Sequence, residues 1–328
     1  MTTPSISVVM PVYNVEGYIA EAVRSVLAQS FQDFELIVVD DGGSDNSVEI
    51  ARAIYDPRIT IVSQENRGLA GARNAGIARS RGRYIALLDS DDRWHPDKLL
   101  KHFTHLEADL RVGVSYSGSR MIDKYGEVLS FAMRPKTHDV KAEDILCRNP
   151  VGNGSAPVIR RSALDLAAFE HPDDPTRLCW FDESFRQSED IELWVRLATL
   201  HDVLFEGIAP LLTDYRIMGG ALSANVVNQY VSWRRMLEKA KAGAPELVDK
   251  FGRKAEAYQF RYLARRSVQL GDSKLAQELF AKATRRAPQI HVEEPLKSVS
   301  TWAAIRVAEL VGPERFHKVA QRYLKNAG

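Results

Sequence analysis

Acidic side chains follow two apolar runs of this sequence at spacings that suit metal or proton chemistry. Asp40 and Asp41 follow the run FELIVV, and Asp89, Asp91 and Asp92 follow the run YIALL. Like charges this close repel each other, and burying them costs several kcal/mol unless a positive group lies among them. The second cluster therefore indicates either a solvated turn or a site for a cation and its ligand.

An Asp-x-Asp segment at a strand end suits a divalent cation with oxygen ligands. Mg²⁺ and Mn²⁺ prefer such ligands and usually take only one or two carboxylates from the protein, with phosphates and water completing the shell. The sequence has no His/Cys cluster at zinc spacing, no Gly-x-x-x-x-Gly-Lys-Ser/Thr loop and no Gly-x-Gly-x-x-Gly after its first strand. The last absence argues against a nicotinamide-binding domain.

Strand and helix patterns alternate over the first hundred residues. Apolar, β-branched runs that read as strands occupy 6–13, 34–40, 59–63 and 84–88. The helices between them are expected to begin near Asn14, Ser44 or Asp45, Gly68 and Pro96. Such alternation predicts a mainly parallel sheet covered on both faces. Because ligands of parallel sheets bind beyond the carboxyl ends of the strands, the polar strand ends should meet at one edge.

The rest of the chain predicts fewer strands and then a helical region. Strands are expected near 112–116, 156–159 and 203–205, and a helix from Ser188 to Leu200. From residue 226 the sequence is Lys/Arg-rich and helical, and residues 262–288 are typical of one tetratricopeptide-like hairpin. We predict a catalytic domain at 1–225 and a helical region at 226–328.

Composition limits the class of protein. The 328 residues are 45% hydrophobic and 27% charged with a net charge of +1, so no general field attracts nucleic acid. Two cysteines, Cys147 and Cys179, cannot form a disulfide framework. The N-terminus lacks the pattern of a signal peptide, and no apolar run reaches the roughly 20 residues of a membrane span. A cytoplasmic protein is expected, with peripheral contact at the inner face of the membrane as a further hypothesis.

Five motifs together resemble the family 2 glycosyltransferases of GT-A fold. They are VVMPVYN, VVDDGGSDNS, QENRGLAGARNAGI, YIALLDSDDRWHPDKL and FDESFRQSEDIELWVRL. They keep the family's order and spacing over about residues 5–200. The resemblance implies a mainly parallel α/β fold, a nucleotide-sugar donor, a Mg²⁺ or Mn²⁺ ion and inversion at the anomeric carbon.

The resemblance also implies roles for residues of the donor site. The nucleobase would be bordered by Pro11, Val12 and Tyr13. Asp41, helped by Asp40, would accept the N3–H of uracil, a bond for which a carboxylate is suited. Arg73 would lie near the base and phosphates, and close helix–sheet packing is an equal explanation for the glycines around it.

The catalytic and metal roles fall on the two remaining acidic segments. Asp91 would be the principal metal ligand, with Asp89 contacting the ribose or the water shell of the metal. Asp190 would be the general base for the acceptor hydroxyl, and Glu189 its neighbour at the acceptor. Read without the family, acidic residues at a helix start simply suit the helix dipole.

One motif departs from the family pattern. Many members have Tyr-Arg-x-His-x-x-Ser-x-Ser after the last sheet strand, whereas this chain has YRIMGGALS, with Met218 at the His position. A thioether is a poor ligand for Mg²⁺ or Mn²⁺, so metal affinity is in doubt. Arg216 and Ser223 are kept, and Arg216 could still cover the diphosphate.

We predict an inverting glycosyltransferase that moves a sugar, expected to come from a UDP-sugar, to a saccharide or lipid-linked acceptor in surface polysaccharide or glycolipid assembly. A sugar nucleotidyltransferase is one alternative, although PVYNVEGY is not the Gly-rich, basic loop that such enzymes usually carry. A non-catalytic nucleotide-sugar-binding protein is the other.

The C-terminal sequence mixes apolar and basic residues. Its apolar members are Trp302, Ile305, Leu310 and Phe316, and its basic members are Arg306, Arg315, Lys318, Arg322 and Lys325. Basic amphipathic helices bind anionic membranes. Packing of the apolar face on the preceding helices is the alternative that we favour.

Overall fold

The computed structural model describes residues 3–217 and 225–312. The strands are β1 (Ile6–Val12), β2 (Phe34–Asp40), β3 (Ile59–Ser63), β4 (Tyr84–Leu87), β5 (Arg93–Trp94), β6 (Val112–Ile122), β7 (Val128–Met133), β8 (Val158–Arg160), β9 (Phe169–His171), β10 (Asp174–Cys179) and β11 (Leu204–Arg216). The helices are α1 (Ile19–Leu27), α2 (Ser47–Arg52), α3 (Gly68–Arg79), α4 (Lys98–Ala108), α5 (Ala142–Arg148), α6 (Arg161–Asp165), α7 (Glu189–Leu200), α8 (Val226–Gly243), α9 (Pro245–Gln269), α10 (Ser273–Arg286), α11 (Ile290–Glu293) and α12 (Pro295–Val311).

A nine-stranded sheet organises the chain through residue 217. Its order is β3-β2-β1-β4-β8-β6-β11-β5, and β7 pairs with β6. The strands β3, β2, β1 and β4 are mutually parallel, whereas β8 is antiparallel to both of its neighbours. The mainly parallel α/β sheet predicted from the sequence is confirmed.

Both faces of β1 are buried, as its continuous apolar sequence predicts. Val9 faces the side covered by α3, while Val8 and Met10 face the side covered by α1. On α3, a Cβ added at Gly76 would lie 2.3 Å from Cγ1 of Val9. Close helix–sheet packing therefore explains this glycine.

Three helices begin later than the sequence predicts. Asn14 is not an N-cap: it has a positive φ of 52°, and its Oδ1 accepts a hydrogen bond from the backbone N–H of Ser44. α1 begins at Ile19, α2 at Ser47 rather than beside Asp45, and α4 at Lys98. The side chain of Asn14 therefore joins the loops that follow β1 and β2 and does not cap α1.

The long strand β11 was expected only as a short segment near 203–205. It extends over 13 residues because it pairs in parallel with β6 along its length and with β5 at its end. This pairing brings Arg216 beside the segment between β4 and β5, where the acidic cluster lies.

The helical region packs directly on the sheet domain. Trp233 and Met236 of α8 and Ala255 of α9 belong to the same core cluster as Trp194 of α7 and Val9 of β1. α9 and α10 form an antiparallel hairpin around a turn at Gly271, and the division of the chain into two domains stays a prediction. In residues 3–217 and 225–312, no helix is both long and apolar enough to cross a bilayer.

Candidate active site

The acidic turn between β4 and β5 is held in place from two sides. Asp92 is buried, and its carboxylate accepts a hydrogen bond from Oγ of Ser155 at 2.6 Å and from the backbone N–H of Arg216 at 2.8 Å. Burial, then the charges of Asp91 and Asp89, raises the pKa of Asp92 well above its usual value. Asp92 therefore fixes the shape of the turn.

Asp91 is the carboxylate of this turn that is left for a ligand. Within the described ranges, no side chain hydrogen-bonds to it or forms an ion pair with it. Burial, followed by the charge of Asp89, raises its pKa to about 6. A divalent cation would relieve this excess of negative charge, and carboxylate oxygens suit Mg²⁺ or Mn²⁺.

No three His, Cys, Asp or Glu residues form a metal-holding group in the described part of the chain. Asp91 and Asp89 are the two carboxylates expected to serve, and one oxygen of Asp89 already binds Arg73. This donor set fits a cation that takes its remaining ligands from phosphate and water.

Arg216 supports the acidic turn from β11. Its side chain is buried, with Nε donating to the backbone oxygen of Asp91 at 2.7 Å and Nη2 donating to Glu21 at 2.6 Å. Nη1 donates to the backbone oxygen of Asp123 at 3.1 Å. Its contact with a diphosphate stays a prediction. Two residues discussed with it lie outside the described residues: Met218 and Ser223.

The proposed nucleobase site is formed by the ends of β1 and β2. Asp41 is 3% exposed, and its Oδ1 accepts hydrogen bonds from Nε2 of Gln64 at 2.7 Å and from the backbone N–H of Arg67 at 2.9 Å. These bonds orient the carboxylate, and Oδ2 accepts none from the residues described. Tyr13 is 53% exposed and directly follows β1, whose last residue, Val12, accepts a hydrogen bond from the backbone N–H of Asp41.

Three other residues expected at this site have different environments. Pro11 and Val12 are buried within β1, opposite Val39 and Asp40 of β2. The Asp40 carboxylate accepts a hydrogen bond from the backbone N–H of Gly42 at 3.1 Å. Their contacts with a nucleotide stay predictions.

Glu189 and Asp190 form the first turn of α7. The preceding Ser188 has a positive φ of 62°, which is uncommon for a residue with a side chain and recurs at functional sites. Glu189 is buried, and burial raises its pKa to about 7 against the opposing charge of Arg73. Asp190 is half-buried, and burial raises its pKa although Arg73 opposes the rise. A carboxylate with a raised pKa is a better proton acceptor near neutral pH.

Arg73 joins the acidic turn to α7. Its Nη2 lies 2.7 Å from Oδ1 of Asp89, and its Nη1 lies 2.7 Å from Oε1 of Glu189. The family resemblance implies a place near the base and phosphates for Arg73, and the structure places its guanidinium between two carboxylates at 1% side-chain exposure. Its contact with a nucleotide is untested.

Two residues near the site were missed by the sequence analysis. Ser155 precedes β8, and besides binding Asp92 it accepts a hydrogen bond from the backbone N–H of Asp89 at 3.0 Å. Tyr215, on β11, has a pKa raised by burial and then by the charge of Asp92. The glycines in VGNGSA could have predicted a tight loop at Ser155. No feature of the neighbouring sequence could have predicted that Tyr215 lies near the site.

Relatives match both the sequence and the fold. The family model described as Glycosyl transferase family 2 matches residues 7–166. The chain is 30% identical to the putative teichuronic acid biosynthesis glycosyltransferase TuaG of Bacillus subtilis over 226 residues, which are 68% of this chain and 82% of that protein. It spans only 33% to 40% of the length of three Rickettsia relatives that it also matches.

Solved structures share the fold at low sequence identity. S. aureus TarS 1-349, in complex with UDP, superposes with a TM-score of 0.52 at 16% identity, covering 93% of this chain and 91% of that one. The mannosyltransferase PcManGT of Pyrobaculum calidifontis, in complex with GDP-Man and Mn²⁺, gives a TM-score of 0.58 at 20% identity, covering 100% and 86%. On its motifs, its fold and these matches, the chain belongs to glycosyltransferase family 2 and has the GT-A fold.

Proposed function

We propose that this protein is an inverting glycosyltransferase that moves a sugar from a nucleotide-sugar donor to a hydroxyl acceptor. The observation that carries the proposal is the ion-pair bridge through Arg73, which joins the Asp-x-Asp turn to the Glu189-Asp190 start of α7. The turn that we assign to the leaving diphosphate is thereby joined to the helix start that we assign to proton transfer. Transfer to a hydroxyl needs both.

Asp190 takes the proton of the acceptor hydroxyl as that oxygen attacks the anomeric carbon from the face opposite the diphosphate. The two described ion pairs of Arg73 go to Asp89 and Glu189 rather than to Asp190, so we assign the role of base to Asp190, on which Arg73 acts only through its charge. General-base assistance typically contributes 10²–10⁴-fold in rate. Glu189 is held by Arg73 and precedes Asp190 in the chain, and the hydrogen bond that we assign to it is one accepted from the acceptor.

Asp91 and Asp89 are the residues that would hold a Mn²⁺ or Mg²⁺ ion. Such an ion supplies positive charge that stabilises the leaving diphosphate. Arg216 keeps the backbone of Asp91 in position, and Asp92 with Ser155 keeps the turn closed.

A UDP-sugar is the donor that we propose. The carboxylate of Asp41 is suited to accept a hydrogen bond from the N3–H of uracil. The exposed side chain of Tyr13 offers a surface on which the base could stack. TarS has been seen with UDP and PcManGT with GDP-Man, so the two donor classes must be compared directly. The named role of TuaG in teichuronic acid biosynthesis supports assembly of a surface polysaccharide.

Thermal shifts with UDP, GDP and Mn²⁺ test the donor proposal. Ligand at 100 times its dissociation constant adds ~2.7 kcal/mol of stability, which gives a readable shift. We expect UDP with Mn²⁺ to raise the melting temperature more than GDP with Mn²⁺. Equal shifts for all nucleotides would contradict the assignment of Asp41 to uracil.

Donor turnover separates the alternatives. Release of UDP from a screened set of UDP-sugars supports the transferase. Pyrophosphate formation from UTP and a sugar phosphate would identify a nucleotidyltransferase. Nucleotide binding without hydrolysis or transfer would identify a binding protein.

Membrane contact is a separate proposal for α12. Ile305 packs in a small core with Val268 of α9 and Ala276 of α10, whereas Trp302 is 51% exposed and Leu310 85% exposed. The exposed apolar side chains and the basic residues after position 312 support contact with anionic lipid. Phe316, Arg315, Lys318, Arg322 and Lys325 lie outside the described residues. Failure to sediment with anionic vesicles at low salt would exclude this contact.

A further inference from the structure

Arg73 is a buried cation that connects two segments far apart in the sequence. Its partners Asp89 and Glu189 lie 16 and 116 residues away, at the end of β4 and at the start of α7. A guanidinium presents its donors in a rigid fork and can bind two carboxylates at once. The bridge therefore fixes the distance between the two elements.

Two carboxylates compensate the buried charge of Arg73. Burying a guanidinium is costly unless carboxylates surround it, and removing one partner of a buried ion pair leaves an uncompensated charge. Burial lowers the pKa of Arg73, but the charges of Asp89 and Glu189 more than offset this, and the net shift is upward. The side chain stays charged, and its position depends on the two carboxylates.

Phe181 and the loop before β8 pack against the buried side chain of Arg73. The guanidinium carbon lies 5.3 Å from the ring centre of Phe181. On another side the loop before β8 passes so close that a Cβ at Gly154 would lie 2.2 Å from Nη2 of Arg73 and 2.8 Å from Oδ2 of Asp89. A side chain at position 154 would therefore displace the guanidinium or the carboxylate.

We propose that Arg73 is a positioning residue that sets the separation between the donor turn and the general base. It acts on the turn through Asp89 and on Asp190 through the neighbouring Glu189. This role requires no contact with the nucleotide. This inference rests on the proposed function, because it assigns Asp91 to the donor side and Asp190 to proton transfer.

Arg73→Lys tests the proposal, since lysine keeps the charge but lacks the fork. We expect kcat to fall at least tenfold, UDP affinity without metal to remain unchanged, and the gain in UDP affinity from Mn²⁺ to shrink. The matched control is Arg79→Lys on the exposed part of α3, which should leave all three quantities unchanged.

Two results with Arg73→Lys would overturn the proposal. A loss of metal-free UDP affinity would mean that Arg73 contacts the nucleotide directly. A lower melting temperature with wild-type kcat at 20 °C would mean that Arg73 only stabilises the fold. Gly154→Ala gives a second test because the added methyl group displaces the guanidinium although Arg73 itself is unchanged. This variant should show the same loss of kcat.

A measurement of folding stability tests the bridge between Asp89, Arg73 and Glu189 independently of activity. In the wild-type background, the combined loss of unfolding midpoint from Asp89→Asn and Glu189→Gln should exceed the sum of the single losses, because the double variant leaves Arg73 without either partner. With Arg73→Lys the excess should shrink. Additive losses in the wild type would refute the bridge. Absence of donor turnover in a wild-type protein that shows this excess would refute only the proposed function.

Discussion

The amine of Lys98 is buried beneath the loop that carries Ser155. Its side chain is 0% exposed, and its Nζ donates to the backbone oxygen of Ala156 at 2.7 Å and lies 3.4 Å from Nε2 of His102. Burial lowers the pKa of Lys98 from 10.5 to about 7. Burial and then the charge of Lys98 lower the pKa of His102 well below its usual value, so this ring stays neutral above pH 7.

The lowered pKa of Lys98 determines how the free energy of unfolding changes with pH. Below pH 7 both the folded and unfolded states carry the proton, and the folded state bears the full cost of a buried charge. Each pKa unit corresponds to 1.36 kcal/mol, so that cost is ~5 kcal/mol. Between pH 7 and 10.5 the unfolded state binds more protons, and the free energy of unfolding rises with pH. About 2 kcal/mol of the cost should disappear between pH 7 and 9.

Urea unfolding of the wild type and Lys98→Met at pH 7 and pH 9 measures this change. The variant loses the hydrogen bond to Ala156, which costs about 1–3 kcal/mol. It should still be more stable than the wild type at pH 7, and its advantage should fall by about 2 kcal/mol at pH 9. Lys101→Met, on the exposed side of α4, is the control and should show no such dependence. An equal difference at both pH values would refute the reasoning.

Three further substitutions test the site. Asp190→Asn should lower transfer by ~10²-fold or more and leave the UDP–Mn²⁺ affinity nearly unchanged; near-normal turnover would transfer the role of base to Glu189. Asp91→Asn should weaken Mn²⁺-dependent UDP binding and transfer together, and calorimetric titration that finds wild-type affinity would remove Asp91 as a ligand. Ser155→Ala should lower the free energy of unfolding by about 1–3 kcal/mol, because buried Asp92 loses a donor; unchanged denaturation midpoints would contradict this.

The parallel core could be predicted from the sequence. The bounds expected for β2 and β3 are those observed, at 34–40 and 59–63. Strands buried on both faces need continuous apolar, β-branched sequence, so their signal is local and strong. The helix starts were less accurate, because Asn14 bonds across to Ser44 rather than to its own helix.

The family motifs identified the acidic segments, and the order of these motifs along the chain was sufficient to predict the fold. The sequence by itself could not assign partners within the site. The bonds of Arg73 to Glu189, of Ser155 to Asp92 and of the Arg216 backbone to Asp92 join residues 63 to 124 positions apart. Such contacts depend on the insertion of β8 beside β4 and on the pairing of β11 with β6 and β5. Local propensity carries no information about these long-range pairings, so only the tertiary structure decided which charges are neutralised and which carboxylates remain for a ligand.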